Sequence, residues 1–308
     1  PVILELTVGA ISSGNVRSFM EWSLLAQGGL NGVMLGVNYA LIALGLTLIF
    51  GILGIVNFTH GEMYMLGGYV AYYFFGHFGL NFFATLALSA VLVGALGVIL
   101  EKFIFRPLTK RPKLELTSLI AAVGLAWVFQ MLAIIAFGDL DKNVPSAFKG
   151  ILRMSGVVIT VERLATIIIG LCLVVLLNVF LLKTKTGMTI RAVAQDKEAA
   201  ALQGVSVDRI TALTFGIGCG LAAISGALIA PIFGISPNMG GEVILKAFLV
   251  VILGGMGSVP GAMLGGLVLG FVESFGCLFF SVPTVMVLTF SIIILILILK
   301  PKGLLGHA

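Results

Sequence analysis

The sequence predicts an all-α polytopic membrane protein with about eight transmembrane segments, two of them broken or re-entrant, and three observations carry that class. Hydrophobic residues make up 59% and charged residues only 10% of the 308 residues, with a mean hydropathy of +1.18, whereas soluble domains run near a quarter charged. Eight apolar segments recur, at about 31–56, 62–78, 81–105, 115–137, 164–183, 210–234, 246–275 and 284–299. Most reach the roughly 20 residues that a bilayer core requires of a helix. Lipid leaves backbone groups no outside partner, and the runs lack the alternation of a barrel, so helices are the expected spanning form. The 40 glycines are the third observation, because small residues allow helix backbones to approach closely in lipid.

Residues 1–29 are irregular, with a Ser/Gly break at Ser12–Gly14 followed by Arg17, Glu21 and Trp22. They read as a helical, interfacial or partly inserted extension ahead of a membrane domain over 30–308, since Trp favours the membrane interface. No cleavable signal peptide is evident, because the first residues lack a basic flank and an A-x-A-like site. In the first segment Asn31, Asn38 and Tyr39 share a stripe with Gly32 and Gly36. That stripe reads as a small-residue packing face or as a wall of a transport path. The stretch 51–62 (GILGIVNFTHGE) then interrupts the apolar pattern. Asn57, His60 and Glu62 stand there at or near membrane depth, where polar groups are costly and mark a functional or paired site. They are expected either to plug the broken helix ends, with His60 or Asn57 as cap and Glu62 near an N-terminus, or to line a path.

The loops set the orientation. Lys102, Arg106, Lys110, Arg111 and Lys113 lie between the third and fourth segments, five more cations lie in 183–209, and Lys300 and Lys302 follow the last segment. These intervals hold 12 of the 18 Lys and Arg residues, which places them in the cytoplasm and the 138–163 loop outside. The basic residues are spread over short loops, so the net charge of +5 does not point to nucleic acid. Parity then constrains the last third: a cytoplasmic 183–209 loop and a cytoplasmic tail require an even number of crossings, yet three apolar segments intervene. The segment 246–275 is expected to turn back as a hairpin at Gly254, Gly255, Gly257, Ser258, Pro260 and Gly261, because Pro and clustered Gly break a helix. Both breaks precede a Met-Leu-Gly-Gly, at 65–68 and 263–266. This weak internal repeat of interrupted segments is the usual pointer to a transport path. The two breaks are expected to approach one another. Lys246 and Glu273, near the ends of the broken segment, read as side chains snorkelling to the interface.

The longest polar interval between apolar runs is 183–209. It reads as one or two short helices, with Asp196 as N-cap, Glu198 in the first turn and Gly204 as the C-terminal stop. Ile190, Val193, Ala194, Ala201 and Leu202 would give it an apolar side. Such a lug between membrane helices suits docking onto a soluble partner. Enzyme motifs are absent: the chain has no G-x-x-x-x-G-K-[ST], G-x-S-x-G or H-E-x-x-H, so ATP binding through a P-loop is excluded. His60, His77 and His307 are too scattered for a metal cluster, and Cys172, Cys219 and Cys277 lack metal or disulfide spacing.

Glu198-Ala199-Ala200, with Gly204 four residues on, resembles the coupling loop of ABC importer permeases. The wider stretch from Arg191 through Asp196 to Gly204, together with 38–45, 54–62 and 253–262, resembles the LivH-type permease family of branched-chain amino acid importers over residues 31 to the tail. The resemblance implies an inner-membrane permease that works with a second, homologous permease subunit, two ATP-binding cassette subunits and a soluble substrate-binding protein. ATP would be used by those partner subunits, with no cofactor on this chain. The family also serves urea, short amides and aromatic acids. An ion-coupled secondary transporter is the alternative, and it would be expected to carry acidic groups deep within segments, whereas Glu62 and Glu273 read as edge residues.

Overall fold

A computed structural model describes residues 14–109, 114–154, 157–300 and 303–305. Lys110, Arg111, Lys113, Lys302, His307 and residues 1–13 of the expected extension lie outside the described residues.

Helix α1 (Gly14–Leu53) runs unbroken through the boundary expected at residue 30. Its Gly28 is held from the last third of the chain: Ser274 Oγ donates to the Gly28 carbonyl at 2.7 Å. The described part of the expected extension, residues 14–29, is helical and continuous with the first apolar segment. After the loop 54–59 comes α2 (His60–Val70), which continues into the π-helical stretch Ala71–His77. Then follow α3 (Phe82–Thr109), α4 (Leu114–Phe137) and α5 (Val161–Lys183). Two short helices, α6 (Lys185–Gln195) and α7 (Lys197–Leu202), lead to α8 (Val207–Phe233), α9 (Met239–Gly254), α10 (Val259–Phe279) and α11 (Val282–Leu299). Among the described residues six helices are long and apolar enough to cross a membrane. One small antiparallel hairpin, β1 (Ile151–Met154) with β2 (Val157–Thr160), departs from the all-α expectation and lies in the 138–163 connection.

The segment read as 246–275 is two helices folded back on each other, as the parity argument required. Val250 lies beside Gly265 and Gly254 beside Gly261, an antiparallel register. Ser258 caps α10, its Oγ accepting from Gly261 N at 3.1 Å, with Pro260 in the first turn where a missing N–H costs nothing.

Helices α1 and α8 form the buried centre. They cross antiparallel, Gly45 against Gly218 and Asn38 against Ser225. Helix α10 also runs antiparallel to α1, Gly36 meeting Leu267 and Ala40 meeting Gly266. The stripe of Gly32 and Gly36 is thus a packing face: a Cβ at Gly36 would lie 2.8 Å from the Leu267 Cα. These directions bring Leu53, α6–α7 and the α9–α10 turn to one end of the bundle. The β-hairpin, tied by Val158 N donating to Gln27 Oε1 at 3.1 Å, lies at the other.

Candidate functional site: a coupling end and an opposite cavity

At the first end the chain builds a polar platform. Thr184 Oγ1 caps α6 by accepting from Gly187 N at 2.9 Å, and Arg191 Nε donates back to the Leu181 carbonyl at 3.1 Å, anchoring α6 to α5. Ile190 and Val193 are buried against the bundle. Asp196 ends α6 and caps α7, its Oδ1 accepting from Glu198 N at 2.9 Å and Ala199 N at 3.0 Å. Ala200 is buried, and Gly204 stops the helix at φ +81°, a left-handed conformation suited to glycine. The expected apolar side is divided in two: Ala194 and Ala201 face away from the bundle, and Leu202 is 87% exposed.

The two breaks lie close together near this end. A Cβ at Gly51, in the last turn of α1, would stand 4.0 Å from the Gly257 Cα, and the Phe58 and Phe248 rings are 4.8 Å apart. The carbonyls freed by the α9 break are not met by Asn57, His60 or Glu62. They are met by the tail: Leu304 N donates to the Leu253 carbonyl at 2.8 Å and Leu305 N to the Gly254 carbonyl at 3.1 Å. Buried carbonyls need partners, and the short tail supplies them.

The polar set at the first break is enclosed. Asn57 Oδ1 accepts from Thr59 N at 3.1 Å, and Thr59 Oγ1 donates to the Ala122 carbonyl at 2.9 Å. His60 Nε2 lies 3.2 Å from the Ile42 carbonyl in the middle of α1. Glu62, in the first turn of α2, packs against Gly240 in the first turn of α9. All three residues are buried.

The other half of the bundle holds a cavity of about 650 Å³. Asn38, Tyr39 and Tyr64 line it, with apolar walls that include Met34, Ile229 and Val243. Arg163, whose Nη1 donates to Asn31 Oδ1 at 2.8 Å, also lines it, as does Asp141 from the 138–163 connection. Asn57, His60, Glu62 and the 254–261 turn do not border this cavity.

Lys246 and Glu273, read as snorkelling side chains, are instead paired beside the cavity. Lys246 Nζ contacts Glu273 Oε1 at 2.5 Å and donates to Tyr39 Oη at 3.0 Å, while Tyr39 Oη donates to Glu273 Oε2 at 2.5 Å. Their side chains are only 21% and 16% exposed. Glu273 is thus an interior position of α10, and the edge argument against a secondary transporter does not hold for it.

Comparison with known proteins supplies the rest. The family described as "Branched-chain amino acid transport system / permease component" matches residues 29–299. The chain is 36% identical over 292 residues to the high-affinity branched-chain amino acid transport system permease protein LivH of Escherichia coli K12, covering 90% of this chain and 94% of that one. The corresponding BraD protein of Pseudomonas aeruginosa is also 36% identical, over 291 residues, with coverage of 90% and 94%. A solved structure titled PsaBC from Streptococcus pneumoniae in complex with Fab shares the fold at TM-score 0.52 and 14% identity, covering 93% of this chain and 97% of that one. Platform, breaks and cavity thus sit on a known architecture, and the chain belongs to the permease-component family of branched-chain amino acid transport systems.

Proposed function

We propose that the chain is the membrane-spanning permease subunit of an ATP-driven importer of the bacterial inner membrane, with branched-chain amino acids as its substrate class. The observation that carries the reading is the α6–α7 platform, held by Thr184, Arg191 and Asp196 and offering Leu202 outward, at the end of the bundle opposite the cavity. Family membership supports the substrate class. Energy enters at the platform, because the chain has no phosphate-binding loop of its own. Its partners are two ATP-binding cassette subunits docked on the platforms, a second, homologous permease subunit and a soluble substrate-binding protein delivering to the cavity end. ATP is consumed by those cassette subunits.

In this arrangement Glu198, Ala199 and Gly204 shape the docking helix, and Arg191 and Asp196 hold its angle. Asn38 and Tyr39 belong to the path, while Asn57, His60, Glu62 and the Gly254–Gly261 turn seal the platform end of it. Leu202→Asp tests the docking. The side chain is exposed, so folding and melting temperature should be retained, while leucine uptake by the assembled complex falls at least tenfold because a charge is buried against the partner. Gly204→Asp has open space around it but a left-handed backbone that strains an aspartate, so it should lower uptake together with the stability of the α7 stop. Wild-type uptake in both variants would overturn the docking role.

A further inference from the structure

We propose that Lys246 and Glu273, with Tyr39, form the recognition point for a zwitterionic amino acid in the cavity, the substrate carboxylate meeting Lys246 and its ammonium meeting Glu273. This inference rests on the permease reading and adds to it the residues and the charge type of the ligand. The three side chains come from three helices, α1, α9 and α10, and converge within 3.0 Å. All three border the cavity, and the apolar Met34, Ile229, Val243 and Val282 stand around it. Tyr39 is near the middle of the Trp22–Leu53 span and Lys246 near the middle of α9, so the cluster lies at depth, where an unpaired charge is costly.

The charge pattern selects the ligand class. An α-amino acid carries a cation and an anion a few ångströms apart, as the pair does. When such a molecule inserts between Lys246 and Glu273, one ion pair is exchanged for two and the net charge of the site stays zero. A net cation would meet Lys246 and a net anion would meet Glu273, each leaving one charge of the pair uncompensated. Without ligand the pair satisfies itself, and Tyr39 bridges it, so neither Lys246 nor Glu273 stands unpaired in the free cavity. A second space of about 20 Å³ on the α11 side, lined by Val285, Met286 and Thr289, also borders Lys246 and Glu273. That is room for about one water molecule as the side chains part. The apolar walls then take the aliphatic side chain, so a ligand without charges, such as urea, forgoes both halves of the site.

The test uses the complex of this chain with its partner subunits. Without binding protein, millimolar leucine should raise the melting temperature of the wild-type complex, whereas leucinamide, a cation, and 4-methylvalerate, an anion, should require at least tenfold higher concentrations for the same shift. Equal shifts from all three overturn the inference. In proteoliposomes with binding protein, Lys246→Met/Glu273→Leu replaces the pair without leaving a lone charge. It should retain the melting temperature and lose leucine uptake at least tenfold. Wild-type uptake in that double variant overturns the inference and makes the pair a clasp between α9 and α10. Absence of leucine uptake by the wild-type complex would instead overturn the permease reading, so the two failures are distinct.

Discussion

His60 shows how a polar residue is kept at membrane depth in this protein. It is fully buried, and a carbonyl can only accept, so its Nε2 carries the proton donated to the Ile42 oxygen. Gly45 makes the room: a Cβ there would lie 2.9 Å from that nitrogen. His60→Ala removes the hydrogen bond and leaves a void, a loss of about 2–4 kcal/mol by analogy with buried large-to-small changes. The melting temperature should drop while the apparent affinity for leucine in uptake stays at the wild-type value, since His60 does not border the cavity. A stable protein with altered substrate preference would show that His60 lines the path. Asn38, Tyr39 and His60 stand out in the sequence because a polar group inside an apolar run is conspicuous. Lys246 and Glu273 do not, for a geometric reason. Read as one segment, 246–275 puts them at its two ends. Folded as a hairpin, the same residues lie inside adjacent helices and face each other.

Among the elements, glycine at the crossings decides which helices meet. The α1–α10 contact runs through Gly36, Gly266 and Gly270, and a Cβ at Gly266 would stand 2.7 Å from the Ala40 N and 2.8 Å from its Cα. Backbone cannot yield as a flexible side chain can. Gly266→Leu should therefore push α1 and α10 apart, with little folded protein recovered by size-exclusion chromatography. Gly29→Leu, on the facing helix α1 but with nothing within 4 Å, should be recovered at the wild-type level. Equal recovery of the two would mean that close approach at Gly266 contributes little. The small-residue stripe was legible because its spacing alone marks a packing face. The capping of α9 by Leu304 and Leu305 was not legible, since it depends on contacts between distant parts of the chain. The β1–β2 hairpin did leave a local mark, the β-branched run Val157-Val158-Ile159-Thr160 after a Ser-Gly pair. It is simply short beside the apolar segments.

For the molecule as a whole, topology follows from charge, parity and packing together. The antiparallel crossings of α1 with α8 and α10 put Leu53, the α6–α7 platform and the α9–α10 turn at one end. The tail joins them through Leu304 and Leu305. Lys102, Arg106, Lys183, Lys185, Arg191, Lys197, Arg209 and Lys300 lie on segments reaching that same end. The opposite end carries Lys142, Lys149, Arg153 and Arg163 with Asp139, Asp141 and Glu162, a weaker cationic bias. Cations are retained on the cytoplasmic side, which predicts that the platform end faces inward and the cavity end outward. Single cysteines at positions 197 and 300, in a background with Cys172, Cys219 and Cys277 replaced by serine, should react with a membrane-impermeant maleimide only after the cells are opened. A cysteine at position 149 should react in intact spheroplasts. Between 197 and 300 the chain runs through α8, α9, α10 and α11, and the tail after α11 comes back to the α9–α10 turn at the platform end. Labelling of 197 and 300 from opposite sides would mean that α9 and α10 do not each traverse the membrane. The paired interior location of Lys246 and Glu273 would then lose its basis, because the facing register of those two residues follows from the return of the chain at Gly254–Gly261.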